Sequence, residues 1–146
     1  AIAAQLLAQY AERFALRELR PREYNKELHT HKLTSLLDRL HEEVAALVRQ
    51  PGDLHIVDLY PGCRAGDQQA KGAESLYPAV AAASIVARER AMKQFDALST
   101  EAGFTLPLGS THVQDALNRL VSEGRDLQDY AKLHFRNVQA TLAKRL

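Results

Sequence analysis

One segment constrains the fold of this chain more than any other. Leu33, Leu36, Leu37, Leu40, Val44, Leu47 and Val48 fall at i, i+3, i+4, i+7, i+11, i+14 and i+15, one unbroken apolar stripe along a long helix. Asn25 is a candidate N-cap for it, because its side chain can accept a free amide of the first turn. Gln50-Pro51-Gly52 stops the helix: proline cannot continue it and glycine tolerates the turn. The run Leu54-His55-Ile56-Val57-Asp58-Leu59-Tyr60 then reads as a strand that is mostly apolar on both faces, the pattern of a strand covered on both sides. A long helix feeding such a strand points to an α/β unit rather than a helix bundle.

The rest of the chain fits around that unit. Ile2, Leu6, Leu7 and Tyr10 predict a helix over about 2–12, and the partial alternation of Phe14–Leu19 predicts a short strand running into Pro21. Pro61, Gly62, Gly66 and Gly72, with polar residues between them, make 61–73 a loop. A second long helix is expected from Pro78 to about Leu98, with an Ala-rich start whose small side chains allow close packing on a sheet or another backbone. A loop over 103–112 and two short helices, about 113–123 and 126–145, complete the reading. The class is therefore α/β, rich in helices and with few strands. At 146 residues, 46% of them hydrophobic, the length suits a single domain over 1–146.

Composition removes several classes of function. A formal net charge of +1 excludes the global basic field of a histone-like protein. By segment, 1–57 carries eight basic and eight acidic residues, 58–103 five and six, and 104–146 six and four, so the basic bias is C-terminal. The one cysteine, Cys63, excludes an intramolecular disulfide and fits a reducing cytoplasm. No apolar run approaches the ~20 residues that span a bilayer, and no signal peptide opens the chain. A soluble, cytoplasmic protein with no membrane partner is the expectation. The chain begins Ala1-Ile2-Ala3-Ala4, without Met and already in helix-like sequence, which is expected of a processed or cut piece of something longer.

Asp58 is the first candidate for chemistry, because it interrupts an apolar strand near its carboxyl end, where α/β proteins gather ligands. It reads either as a metal ligand or general base, or as an aspartate capping the following turn. Glu74, with Lys71 just before it, leads into the Ala-rich helix, where the dipole favours a carboxylate whatever its role. Brought together, Asp58 and Glu74 can share a divalent cation, and oxygen donors suit Mg²⁺ or Mn²⁺. Other sites read as structural. His29-Thr30-His31 lacks the i, i+4 spacing of a helical zinc site, and His41-Glu42-Glu43 reads as a solvated helix face. Gly62-Cys63-Arg64-Ala65-Gly66 lacks the phosphate-loop pattern, and Cys63, with no base beside it, reads as inert. Lys132-Leu133-His134-Phe135-Arg136-Asn137 mixes cations, an aromatic and an amide, which suits phosphate or nucleic-acid contact and equally an amphipathic helix.

Four ordered segments carry a family resemblance. Tyr77-Pro78-Ala79-Val80-Ala81-Ala82-Ala83-Ser84-Ile85-Val86-Ala87-Arg88 resembles the Ala-Ala-Ala-Ser-Ile-x-Ala-Lys/Arg helix of type 2 ribonucleases H. Leu19-Arg20-Pro21-Arg22-Glu23-Tyr24-Asn25, Leu106-Pro107-Leu108-Gly109-Ser110 and Ala131-Lys132-Leu133-His134-Phe135-Arg136-Asn137 are similar to segments of the ribonuclease HIII branch. The resemblance implies the C-terminal portion of a ribonuclease H-like domain that cleaves the RNA strand of RNA–DNA hybrids with two Mg²⁺ or Mn²⁺ ions held by four carboxylates. It places Asp58 and Glu74 as the third and fourth of these, catalytic and metal-binding. Lys71, Gly109, Ser110, Thr111, Lys132 and Asn137 would be substrate contacts, and Leu108 stands where a lysine is expected. The first two carboxylates belong to an Asp-Glu motif on an earlier strand, and no Asp-Glu pair occurs in these 146 residues. The chain is then a piece of a longer enzyme, one half of a split enzyme completed by a partner chain, or a homologue that binds nucleic acid or protein without cleaving. By itself it is not expected to be active. An unrelated helical nucleic-acid-binding domain is the remaining alternative.

Overall fold

The computed structural model describes residues 2–109 and 111–144. The chain divides into two compact units, one of Ala1–Glu18 and His31–Ala91, the other of Leu19–Thr30 and Met92–Leu146.

In the first unit, α1 (Ile2–Gln9) and a 3₁₀ turn at Ala11–Arg13 precede α3 (Leu33–Val48), which carries the apolar stripe. Leu36 is 1% exposed, whereas Leu33 and Leu47, at the two ends of the stripe, face solvent. The chain turns at Gln50–Asp53, where Asp53 closes the turn on the Gln50 N–H and Gly52 takes a positive φ of 87°. Two short parallel strands follow, β1 (Ile56–Asp58) and β2 (Gln68–Ala70), with Val57 opposite Gln69 and Asp58 opposite Ala70. A single turn, α4 (Ala73–Leu76), then leads into α5 (Pro78–Ala102).

Three expectations change here. The strand expected over 54–60 is confined to Ile56–Asp58. Only Val57 is buried, and Leu54 and Leu59 are exposed, so it is not covered on both sides among the described residues. The loop expected over 61–73 contains β2, whose Gln-Gln sequence has no apolar alternation; backbone pairing to β1 makes it a strand. Phe14–Leu19 has no ladder partner among the described residues and is an irregular strap, tied by Arg17 to Glu43 and by Glu18 to Arg90.

The loop between the strands is held by carboxylates from α3. Asp38 accepts from the Tyr60 hydroxyl (2.6 Å) and from the N–H groups of Arg64 (2.9 Å) and Ala65 (3.2 Å), and Glu42 accepts from the Gly66 N–H (2.6 Å). Gly66 has φ +78°, and a Cβ there would lie 2.8 Å from Val57 Cγ2 and 2.9 Å from the His55 carbonyl oxygen, so glycine is required.

The second unit is built from α2 (Pro21–Thr30), the last part of α5, α6 (Val113–Ser122), a 3₁₀ turn at Leu127–Asp129 and α7 (Arg136–Ala143). Its core joins Leu98, Ala102, Leu106, Leu117, Leu120, Leu127 and Val138. α2 starts well: Pro21 fills the first helical position, where no N–H is needed, and Glu23 reaches back to the Arg20 N–H at 2.9 Å. Asn25 is therefore not an N-cap. It lies inside α2, and Lys32, in extended conformation, separates α2 from α3. The two helices serve different cores, which is why the apolar stripe begins only at Leu33. The helix expected over 126–145 is broken as well, into the 3₁₀ turn and α7, because 130–135 leaves helical geometry to meet Asn25. α5 extends four residues beyond the expected Leu98, and the 103–112 loop and α6 lie where expected.

Candidate active site and nucleic-acid interface

Asp58 closes β1 at its carboxyl end and is exposed, so no desolvation cost arises. Its Oδ1 accepts the N–H of Ala73 at 2.9 Å, the first residue of α4, which is the turn-capping geometry. Ala73 is fully buried and anchors the turn, while Gly72, at φ +66°, supplies the left-handed entry. Glu74 is the next residue, exposed in the first turn of α4. One hydrogen bond thus ties the strand end that carries Asp58 to the main chain that carries Glu74. Oδ2 of Asp58 and the Glu74 carboxylate have no hydrogen-bond partner among the described residues. Lys71 is exposed in the turn after β2, one position beyond the Asp58–Ala70 pair.

These two carboxylates are the right donors for a hard cation such as Mg²⁺ or Mn²⁺ and are accessible to one. Among the described residues no group of three or more His, Cys, Asp or Glu side chains is placed to hold a metal.

The helix face read as solvated is engaged instead. His41 stacks on Tyr60 at 5.7 Å between ring centroids, Glu42 holds the Gly66 N–H, and Glu43 pairs with Arg39 and Arg17. Burial, reinforced by neighbouring His55, lowers the His41 pKa. The backbone N–H of Arg64 and the Tyr60 hydroxyl hold Asp38 below the usual carboxylate range, and burial together with Asp38 pushes the Tyr60 phenol up. Cys63 is a free, half-buried thiol.

The remaining expected contacts lie in the second unit. Gly109 and Thr111 are exposed, as is Leu108, and Ser110 lies outside the described residues. Pro107 and Val113, which bracket that loop, share a small apolar cavity of about 80 Å³ with Ala131, so the loop borders the start of the Lys132–Asn137 segment. Lys132 and Asn137 are both exposed. The Lys132 Nζ sits 4.7 Å from the Tyr24 ring centroid, and the Asn137 Oδ1 accepts the Val138 N–H.

Asn25 organises this segment. It is 5% exposed; its Nδ2 donates to the carbonyls of Gln128 (3.2 Å) and Ala131 (2.9 Å), and its Oδ1 accepts the Leu133 N–H (2.9 Å). Arg22, three residues before Asn25 on the same helix, grips Asp126, the N-cap of the 3₁₀ turn, and Asp129, its last residue, and holds Asp129 low in pKa. The sequence reading named the Lys132–Asn137 segment with its aromatic, but did not show that Tyr24 and Asn25 of α2 meet it. The Tyr24-Asn25 dipeptide inside a segment shared with a family was the available signal.

Comparison with known proteins assigns the class. The Ribonuclease HII family model matches residues 64–138, and the chain belongs to the type 2 ribonuclease H family. Its relatives include ribonuclease HIII proteins. That of Limosilactobacillus fermentum is 50% identical over 72 residues, covering 49% of this chain and 24% of the relative. That of Streptococcus thermophilus is 32% identical over 144 residues, covering 83% of this chain and 49% of the relative. A crystal structure of Bst-RNase HIII in complex with Mn²⁺ superposes with a TM-score of 0.73 at 26% identity, over 86% of this chain and 48% of that one. The fold is therefore ribonuclease H-like, as the resemblance implied, and the chain spans a quarter to a half of the length of these relatives. Among the described residues, no helix is long and apolar enough to cross a membrane.

Proposed function

We propose that the protein carrying this chain is a cytoplasmic, divalent-metal-dependent endoribonuclease that cleaves the RNA strand of RNA–DNA hybrids. Asp58 and Glu74 are metal ligands in this reading. The observation that carries it is the Asp58 Oδ1 bond to the Ala73 N–H, which sets the carboxyl end of β1 beside the first turn of α4 in a chain of this family. The remaining ligands come from a segment or partner chain that supplies the Asp-Glu strand. Bound Mg²⁺ or Mn²⁺ would activate water and stabilise the leaving oxygen.

The chain's own residues bind and orient. Lys71, one position beyond the Ala70 partner of Asp58, carries a positive charge suited to a phosphate. Gly109, Ser110 and Thr111 offer small side chains and backbone N–H groups that let a sugar–phosphate backbone approach. Lys132 and Asn137 supply a cation and an amide. Single-cysteine composition supports the compartment. The test is Asp58→Asn and Glu74→Gln in the protein carrying this sequence, assayed on a labelled hybrid with Mg²⁺ or Mn²⁺: loss of cleavage with retained folding is expected, and unchanged cleavage overturns the assignment.

A second reading has its own observation. Among the described residues no group of three or more His, Cys, Asp or Glu is placed to hold a metal, and Leu108 stands where the resemblance expects a lysine. A non-catalytic homologue that binds nucleic acid or protein would show this. Hybrid binding without cleavage, even when an Asp-Glu segment is supplied, would favour it.

A further inference from the structure

After the 3₁₀ turn the chain leaves helical geometry, and Asn25 pins it on both sides through Ala131 and Leu133. Leu133 packs on the core of the second unit, which leaves Lys132, His134 and Phe135 exposed. The outcome is a file of rings. Tyr24 and His134 lie 5.8 Å apart between centroids, His134 and Phe135 4.4 Å apart, and the Lys132 ammonium caps the Tyr24 end. Phe135, at the open end, is 52% exposed. The rings are tilted against one another, by 43° and 32°, and Phe135 at the end of the row keeps about half of its surface open to a further ring.

The charge around the file selects the occupant. Residues 130–146 contain Lys132, Arg136, Lys144 and Arg145 and no acidic residue. The acids just upstream, Asp126 and Asp129, are both paired with Arg22. Lys132 and Arg136 flank Phe135 in sequence and make no ion pair among the described residues. A row of rings with Lys132 over its Tyr24 end and Arg136 next to Phe135 in sequence suits a base and its backbone: stacking needs no particular base, and the cations follow the phosphates. In a duplex the base faces are already covered by their neighbours, so a ring of this kind takes a base that is unpaired.

We infer that Phe135, continued by His134 and Tyr24 and flanked by Lys132 and Arg136, is a stacking platform for an unpaired nucleobase of a single-stranded nucleic acid. It rests on the proposed function only in requiring a nucleic-acid ligand, and it adds a single-strand contact to a site read as binding hybrids.

The experiment uses the full protein carrying this chain, with chelator present to prevent cleavage. It is titrated onto short single-stranded RNA and DNA oligonucleotides containing 2-aminopurine, whose fluorescence is quenched on stacking. The wild type is expected to quench. Phe135→Ala is expected to abolish quenching and to weaken binding about 5- to 150-fold. Phe135→Trp restores both, which a purely structural role of the ring would not produce. Lys132→Ala and Arg136→Ala weaken binding and flatten its salt dependence while quenching at saturation persists. Quenching by Phe135→Ala equal to the wild type overturns the platform, as does single-strand binding without quenching in the wild type. An Asp58→Asn protein that still cleaves hybrids while the quenching series holds refutes the proposed function and leaves the platform standing.

Discussion

Replacing Asn25 with alanine deletes three hydrogen bonds at once and leaves the carbonyls of Gln128 and Ala131 and the N–H of Leu133 without their partner. A buried side-chain hydrogen bond contributes about 0.5–1.5 kcal/mol net, so three amount to about 2–4 kcal/mol. That is a large share of the roughly 5–15 kcal/mol available to a domain. Asn25→Asp separates geometry from size. An ionised aspartate keeps the bond from Leu133 but sets a carboxylate oxygen against two carbonyls, whereas the protonated acid can donate to one of them. Its folded pKa is therefore raised above the unfolded carboxyl value of about 3.9, so the variant is closest to the wild type in acid and loses ground as pH rises through the folded value. Urea unfolding at a series of pH values, followed by tyrosine fluorescence because the chain has no tryptophan, reads both effects. A loss below about 0.5 kcal/mol for Asn25→Ala, or an Asn25→Asp deficit independent of pH, would refute the reasoning.

Two further perturbations test the first unit. Asp38 is held below the usual carboxylate range chiefly by the Arg64 N–H and the Tyr60 hydroxyl, so its contribution is full above the unfolded carboxyl pKa and is lost as pH falls through the folded one; Asp38→Asn should lower the urea midpoint at neutral pH and flatten its acid dependence, and an unchanged midpoint would contradict the clamp. Gly66→Ala combines a left-handed φ with a Cβ closer than 3 Å to both Val57 and the His55 carbonyl, and should cost about 2 kcal/mol or more in the same assay, whereas a loss below about 1 kcal/mol would show that the loop relaxes freely.

Periodicity located what periodicity can encode. The stripe over Leu33–Val48 and the helix from Pro78 are long amphipathic or small-residue runs, and both are helices. β2 was invisible because Gln68-Gln69 owes its conformation to pairing with β1 rather than to an apolar pattern. Asn25 was misread for a related reason: an asparagine near a helix start suits a cap locally, and only the distant segment 128–133 shows that its side chain is used for tertiary contacts. The same contacts break the helix expected over 126–145. At the candidate site, sequence placed Asp58 at a strand end and Glu74 before the long helix. It left open whether Asp58 bound a metal or capped the next turn, and the Ala73 bond shows that capping leaves one carboxylate oxygen over for other work.

The central claim is that Asp58 and Glu74 hold the metal of a hybrid-cleaving enzyme. Its most direct test is Mn²⁺- or Mg²⁺-dependent cleavage of a labelled RNA–DNA hybrid by the protein carrying this sequence, wild type beside Asp58→Asn. The account predicts metal-dependent cleavage of the RNA strand by the wild type and its loss in a folded Asp58→Asn protein. Equal cleavage by the two proteins would contradict it.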